Sequence, residues 1–110
     1  MGAVRRVLRA IGISERRRQT RVQSPLLRIE IDGIRYRTRD WSLSGFRVGQ
    51  CHAPLIPGDR VAGRVRLPGV AGDGEFVAEV VWRNDGGDVG MMIRELTPRV
   101  LVAMGGLVAY

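Results

Sequence analysis

The amino-acid sequence predicts an all-β protein, a small six-stranded antiparallel barrel with a short helix near each end. Six segments of the 110-residue chain alternate apolar and polar residues, which is the period of a strand with one buried face. Turns rich in glycine and proline separate them at intervals of about 8–12 residues, as in sandwiches and barrels. A helical period of apolar residues precedes the first strand, and another follows the last.

Residues 1–13 are interpreted as an amphipathic helix. Their apolar residues recur at intervals of three and four positions, namely Val4, Val7, Leu8 and Ile11. We expect this helix to pack on the barrel or on a second subunit, and in the second case the protein would be a homodimer. Binding to an anionic membrane surface and disorder are the alternatives. Residues 14–24 are polar, basic and without a period, and we interpret them as an arm.

The barrel is expected over residues 25–96, and it begins with a β-hairpin. Asp32-Gly33 is a two-residue turn of the type that joins antiparallel strands. On either side of this turn, the residues of one face occupy every second position: Leu27, Ile29, Ile31, Ile34, Tyr36 and Thr38. Residues 40–45 break the alternation, which predicts a corner, and residues 46–49 form the next strand.

Three further strands over residues 60–67, 75–83 and 89–93 complete the predicted barrel. Trp41 and Trp82 are both expected in its core, and stacking of these indoles on bases is the alternative. Residues 97–110 are predicted as a C-terminal helix that runs from residue 98 to about 108, since a threonine followed by proline is typical of a helix start. The apolar residues that this helix would bury are Leu101, Val102, Met104 and Val108.

Positive charge is concentrated in the first half of the chain. The formal net charge is +7, and all 18 cationic residues are arginine. Residues 1–47 carry a net charge of +8, whereas residues 48–110 carry −1. Because each guanidinium is a planar fork that binds phosphate or a base edge through two hydrogen bonds, this asymmetry favours an anionic partner at one face.

Residues for catalysis or metal binding are scarce. Cys51 is the only cysteine and His52 the only histidine, so neither a disulfide framework nor a metal-ligand spacing is present. The sequence therefore predicts a protein that is not an enzyme and has no metal and no cofactor. Neither a transmembrane segment nor a signal peptide is expected. A lone cysteine favours a reducing, cytoplasmic location.

An R-x-x-x-R motif in the arm contains Arg17 and Arg21. An arginine fork pairs with O6 and N7 of guanine or with phosphate oxygens. Residues four apart lie on the same side of a helical or turn-like arm, so both arginines could bind one ligand. An ordinary basic linker is the alternative.

A D-x-S-x-x-G motif follows, formed by Asp40, Ser42 and Gly45. The Asp40 carboxylate offers two acceptors that match the N1–H and N2–H donors of guanine, and Ser42 adds a hydroxyl. Gly45 permits a positive φ or a close backbone approach. The same residue types are also favoured in any tight turn, which is the alternative interpretation.

In this order, the two motifs resemble the signature of the PilZ domain family. The resemblance extends over about residues 16–96 and implies a PilZ-like split barrel that binds the bacterial second messenger cyclic di-GMP. Two segments near the end of the barrel are also similar to the last two strands of that family: Val80-Val81-Trp82-Arg83 and Val89-Gly90-Met91-Met92-Ile93.

The resemblance also implies roles for individual residues. Arg17 and Arg21 would hold guanine Hoogsteen edges and phosphates. Asp40 and Ser42 would contact a guanine from the barrel side, and Gly45 would leave room for it. The position before the first motif arginine, here Arg16, resembles that of members that bind a stacked ligand dimer.

The sequence therefore predicts a cytoplasmic cyclic di-GMP receptor. Its arm has too few apolar residues to order by itself, and ligand binding would order it and signal to a downstream protein partner. One alternative is a PilZ-type adaptor that binds proteins without nucleotide. Another is a basic barrel that binds RNA or single-stranded DNA, which we do not expect because Tyr36, Trp41 and Trp82 form no evident row.

Overall fold

A computed structural model describes residues 21–108 of the protein. The predicted N-terminal helix, Arg16, Arg17 and most of the predicted arm therefore lie outside the described residues. The described part contains six strands and one helix: β1 (Arg28–Ile31), β2 (Ile34–Ser42), β3 (Gly45–Val48), β4 (Arg60–Arg66), β5 (Gly74–Arg83), β6 (Val89–Leu96) and α1 (Pro98–Val108).

The six strands form one closed antiparallel barrel. Their order around the barrel is β1-β2-β3-β6-β5-β4, and pairing of β1 with β4 closes it. In this order β4 lies three strands from β3 in either direction, so these two strands are on opposite walls. The predicted fold class, a six-stranded antiparallel barrel with a C-terminal helix, is confirmed.

The first hairpin forms as its sequence predicts. Asp32 and Gly33 have φ angles of 51° and 78°, which are those of the two-residue turn that matches strand twist. Ile31 pairs with Ile34 across this turn. Farther along, the buried Thr38 hydroxyl accepts a hydrogen bond from the Leu27 amide at 3.0 Å, so this buried polar group is satisfied.

The barrel interior is filled by side chains that alternate along the strands. Phe46 and Phe76 meet edge to face near its centre, with ring centroids 5.4 Å apart. Because a narrow barrel is filled by its own side chains, we expect a ligand to bind on the outer wall. The buried apolar residues are Leu27, Ile29, Ile31, Tyr36, Trp41, Phe46, Val48, Cys51, Val61, Val65, Leu67, Phe76, Ala78, Val80, Val89, Met91, Val100 and Met104.

The predicted corner at residues 40–45 is shorter than expected. β2 continues to Ser42, and only two residues separate it from β3. Its pairing with β3 shifts register between Thr38 and Asp40, which absorbs one extra residue and lets the ladder continue. Asp40 is therefore held in a strand, directly opposite Arg47.

Trp82 was predicted in the core, and this prediction is wrong. The pairing of β5 with β6 shifts register between Val80 and Trp82, so the alternation that buries Val80 does not continue to the indole. Trp82 is 39% exposed and lies on the outer wall over Gly90, where a Cβ atom would overlap its ring. Trp41 is fully buried, as predicted.

The C-terminal helix is present, but its buried face differs from the prediction. Val100 and Met104, four residues apart, are its buried residues. Leu101 and Val102 were expected in the core and are instead exposed, Val102 by 74%. The helix begins after Thr97, whose hydroxyl accepts a hydrogen bond from the Glu75 amide at 2.8 Å and so ties the helix to β5. No helix of the described residues is long and apolar enough to cross a membrane.

Candidate ligand-binding site

Asp40 is at the centre of a polar cluster on the outer wall of the barrel. Its side chain is only 13% exposed. The Oδ2 atom accepts a hydrogen bond from Nη2 of Arg47 at 2.7 Å, and Oδ1 pairs with Nη2 of Arg21. One carboxylate therefore has a guanidinium on each of its oxygens, one from the neighbouring strand and one from the segment before the barrel.

Ser42 joins the same cluster. Its hydroxyl is buried and accepts a hydrogen bond from Nη1 of Arg21 at 3.2 Å. The Arg21 fork thus spans both polar residues of the second motif, one with each terminal nitrogen. Ser42 also lies 3.4 Å from the Ser44 hydroxyl in the following turn. The structure brings together Arg21, Asp40 and Ser42, which the sequence places in two separate motifs.

Backbone pairing places Arg21 at this position. The next residue, Val22, exchanges two backbone hydrogen bonds with Trp41, at 2.7 and 2.9 Å. The Trp41 indole also donates to the Pro25 carbonyl at 2.8 Å. Because these contacts flank Asp40, the described end of the predicted arm lies along β2 beside the second motif.

Gly45 has a structural role that its position explains. It pairs with Ser42 on one side and Met92 on the other. A Cβ atom at Gly45 would clash with the backbone carbonyl of Met91, so glycine is needed for the close approach of β3 and β6. Of the two roles that the sequence allows for this glycine, the close backbone approach is the one observed.

A continuous row crosses four strands beside the cluster. Asp40 on β2 is opposite Arg47 on β3, Arg47 is opposite Gly90 on β6, and Gly90 is opposite Trp82 on β5. Because Gly90 has no side chain, the partly exposed indole of Trp82 lies directly against the sheet. The row presents a carboxylate, a guanidinium and an aromatic ring on one surface.

The sequence interpretation missed two members of this row. Arg47 resembles any outward-facing arginine of a strand, although its position two residues after Gly45 puts it on the same face as the motif glycine. Trp82 was assigned to the core, because its alternation with Val80 conceals the register shift. Strand pairing determines the positions of both residues in the row, and no recognisable sequence motif indicates them.

The chemistry of this surface is suited to ligand binding. It offers carboxylate and hydroxyl acceptors for N–H donors, guanidinium forks for phosphate or a purine edge, and an aromatic face for stacking. Within residues 21–108, no three histidine, cysteine or acidic side chains cluster in a way that could hold a metal ion. Cys51 is buried, and its backbone carbonyl accepts a hydrogen bond from Nη2 of Arg83 at 2.7 Å.

Comparison with known proteins yields a structural similarity only. No protein-family model matches the sequence, and no curated protein matches it. The fold is similar to the solved structure of the Bacillus subtilis inhibitor of motility (MotI/DgrA), with a TM-score of 0.65 and 17% sequence identity over 83% of this chain. The chain spans 48% of the length of that protein. This likeness concerns the fold, and the barrel is consistent with the PilZ-like architecture that the motifs imply.

Proposed function

We propose that this protein is a PilZ-type receptor for cyclic di-GMP. The observation that carries the proposal is the meeting of Arg21 with both Asp40 and Ser42 on one surface. The two motifs are about twenty residues apart in the chain, and an unrelated turn and linker would not be expected to contact each other on this surface. The similarity to the motility inhibitor supports the fold that the proposal requires.

Ligand binding would exchange partners within the cluster. Without ligand, the Arg21 fork is paired with the protein's own carboxylate and hydroxyl. A guanine offers N1–H and N2–H to the carboxylate of Asp40, and phosphate or O6 and N7 to the released guanidinium. Arg21 and Asp40 thus each keep hydrogen-bond partners in both states, which limits the desolvation cost of binding.

Trp82 would complete the site by stacking on a purine. Its indole is partly exposed, lies over Gly90 and is in the same cross-strand row as Asp40. Stacking of a base on an aromatic side chain is worth about 1–3 kcal/mol. We place Trp82 in the ligand site together with the predicted residues Arg16, Arg17, Arg21, Asp40, Ser42 and Gly45.

The signalling step would follow from the movement of Arg21. Val22, the next residue, is paired with Trp41, so release of Arg21 changes the direction of the chain that precedes it. Arg16 and Arg17 would then close over the ligand, and residues 1–13 would present a changed surface to a protein partner. The size of this response cannot exceed the difference in ligand affinity between the two arm positions.

Calorimetric titration with cyclic di-GMP tests the proposal directly. We expect Arg17→Ala, Arg21→Ala and Asp40→Ala each to weaken binding about 10- to 100-fold, since a hydrogen bond to a charged group contributes about 1.5–3 kcal/mol. Arg64→Ala on β4 removes one arginine from the opposite wall and is the matched control; it should bind like the wild type. Absence of heat with the wild-type protein, or wild-type affinity in all three site variants, would contradict the proposal.

A nucleotide-independent adaptor is a second candidate. Three apolar residues of α1 are exposed and suited to a protein contact: Leu101, Val102 and Leu107. An adaptor that works through this helix would capture its partner equally well with and without cyclic di-GMP. For such an adaptor, we expect Val102→Asp to abolish partner capture and Asp40→Ala to leave partner capture unchanged.

A further inference from the structure

We propose that Arg47 is a positioning residue that orients the Asp40 carboxylate and thereby sets the preference of the site for guanine. This inference rests on the function proposed above and deepens it. It assigns a role to a residue outside both sequence motifs, and it predicts an effect on base selectivity that a merely structural arginine would not have.

Strand geometry distinguishes Arg47 from the other guanidinium on Asp40. Arg47 is directly opposite Asp40 in the β2–β3 ladder, and on its other side it pairs with β6. Its backbone is therefore fixed on both sides. Arg21 belongs to no named strand, and its side chain is more exposed, at 48% compared with 37% for Arg47. Arg47 is thus the permanent partner of the carboxylate, and Arg21 is the exchangeable one.

A fixed carboxylate is what a guanine edge requires. The N1–H and N2–H bonds of guanine are nearly parallel, so both oxygens of the acceptor must lie in the plane of the base. The terminal torsion of an aspartate is otherwise broad, with no single preferred plane. The 2.7 Å hydrogen bond from Arg47 to Oδ2 restricts that torsion. Each carboxylate oxygen has two acceptor sites, so Oδ2 can accept from Arg47 and from the base together.

Arg47 also keeps the carboxylate neutralised after Arg21 leaves. The Asp40 side chain is already only 13% exposed, and a bound base would remove more water from it. An uncompensated carboxylate under a ligand is costly. Within residues 21–108 the buried Nε atom of Arg47 has no hydrogen-bond partner, and its Nη2 atom donates to Asp40.

Base selectivity is the property that reports on orientation. Cyclic di-IMP is a suitable comparison ligand, because hypoxanthine lacks the N2 amino group but keeps N1–H, O6, N7 and both phosphates. An oriented carboxylate distinguishes the two ligands, whereas a freely rotating one satisfies N1–H alone and distinguishes them poorly. The ratio of the two dissociation constants therefore measures the effect of Arg47 separately from the general loss of a positive charge.

The experiment measures both dissociation constants by calorimetry for the wild type, Arg47→Met, Arg47→Lys and Arg64→Met. Methionine keeps the apolar stem of arginine and removes its donors. We expect Arg47→Met to reduce the preference for cyclic di-GMP over cyclic di-IMP by about tenfold, the scale of one bidentate base contact. Arg47→Lys should restore part of the preference. Arg64→Met, an equal charge loss on the opposite wall, should leave it unchanged.

An unchanged preference in Arg47→Met would overturn the inference, even if both affinities fell together. Thermal unfolding checks that each variant is folded, and Arg47→Gln replaces Arg47→Met under the same criterion if the latter does not fold. Failure of the wild type to bind cyclic di-GMP would instead refute the proposed function. The two failures are therefore distinguishable in one set of titrations.

Discussion

At the scale of single residues, the two tryptophans show how one register shift separates a buried residue from an exposed one. Trp41 is fully buried, and its indole donates to the Pro25 carbonyl. Trp82 would have the same environment if the alternation of β5 were unbroken. Because the β5–β6 pairing shifts after Val80, its ring is instead on the outer wall, in the same cross-strand row as Arg47.

These two environments predict opposite phenotypes. We expect Trp41→Ala to reduce the free energy of unfolding by about 3–5 kcal/mol, the usual cost of emptying a buried aromatic site. Trp82→Ala should have a much smaller effect on stability and should weaken cyclic di-GMP binding, because the stacking contact is lost. Chemical denaturation and calorimetry of both variants check this. Trp82→Phe, which keeps an aromatic face, should recover part of the affinity.

Single residues also show what the sequence could reveal about the site. Asp40 and Ser42 were identified by their motif, because a carboxylate and a hydroxyl so close to a glycine form a recognisable pattern. Arg47 has no such pattern, and its role depends on which residue is opposite it in the next strand. Strand register is set by the whole ladder, and the sequence of one strand does not contain it.

At the scale of elements, the sequence predicted strands and helix well and predicted buried faces less well. Alternation identified the inward residues of β1 and β4, because each is a regular strand. The extension of β2 to Ser42 and the exposure of Trp82 both occur at register shifts, which depend on the partner strand. In α1 the apolar residues surround most of the helix, so periodicity alone did not single out Val100 and Met104.

Glycines in two elements lead to a contrasting prediction. In α1 a Cβ atom at Gly106 would meet nothing within 4 Å. We expect Gly106→Ala to stabilise the protein by up to about 1 kcal/mol, because alanine is the better helix former. Gly45→Ala in β3 should destabilise it by about 1–3 kcal/mol, since the methyl group would clash with the Met91 carbonyl. Urea denaturation of the two variants measures both signs, and destabilisation by Gly106→Ala would contradict the expectation.

At the scale of the whole molecule, arginine is spread over the outer wall as well as the site. On the wall away from β3, Arg28 is opposite both Arg37 and Arg66. Like charges that face each other across strands are unfavourable at low ionic strength. The strands of the first half, β1, β2 and β3, are adjacent in the barrel, so their arginines extend over one side of it. The two-motif cluster is therefore distinguished by its paired carboxylate and by the aromatic ring in the same row rather than by charge.

Global stability should decrease in alkaline solution because of one buried phenol. Burial and a hydrogen bond with Cys51 raise the pKa of Tyr36 above its usual value of 10.0. The folded state therefore favours the neutral phenol. Its contribution is fully present below pH 10.0 and is lost as the pH rises through the higher pKa of the folded protein.

Tyr36→Phe tests this linkage, because phenylalanine keeps the ring and cannot ionise. Urea denaturation on both sides of about pH 10 should show a smaller loss of stability in the variant than in the wild type. Parallel pH profiles for the two proteins would show that Tyr36 does not control alkaline unfolding. At neutral pH the variant measures what the hydroxyl contributes through packing and through its hydrogen bond with Cys51.

Closure of the sheet by β1 and β4 determines how a partner protein can recognise this molecule. Within the described residues, each of the six strands has a neighbour on both sides, so no row of backbone amides and carbonyls is left for an incoming chain to extend. A partner would therefore contact side chains on the outer wall of the barrel, on α1 or on the segment that carries Arg21. A surface recognised through its side chains changes when those side chains exchange hydrogen-bond partners. A small ligand bound at Asp40 would cause such an exchange.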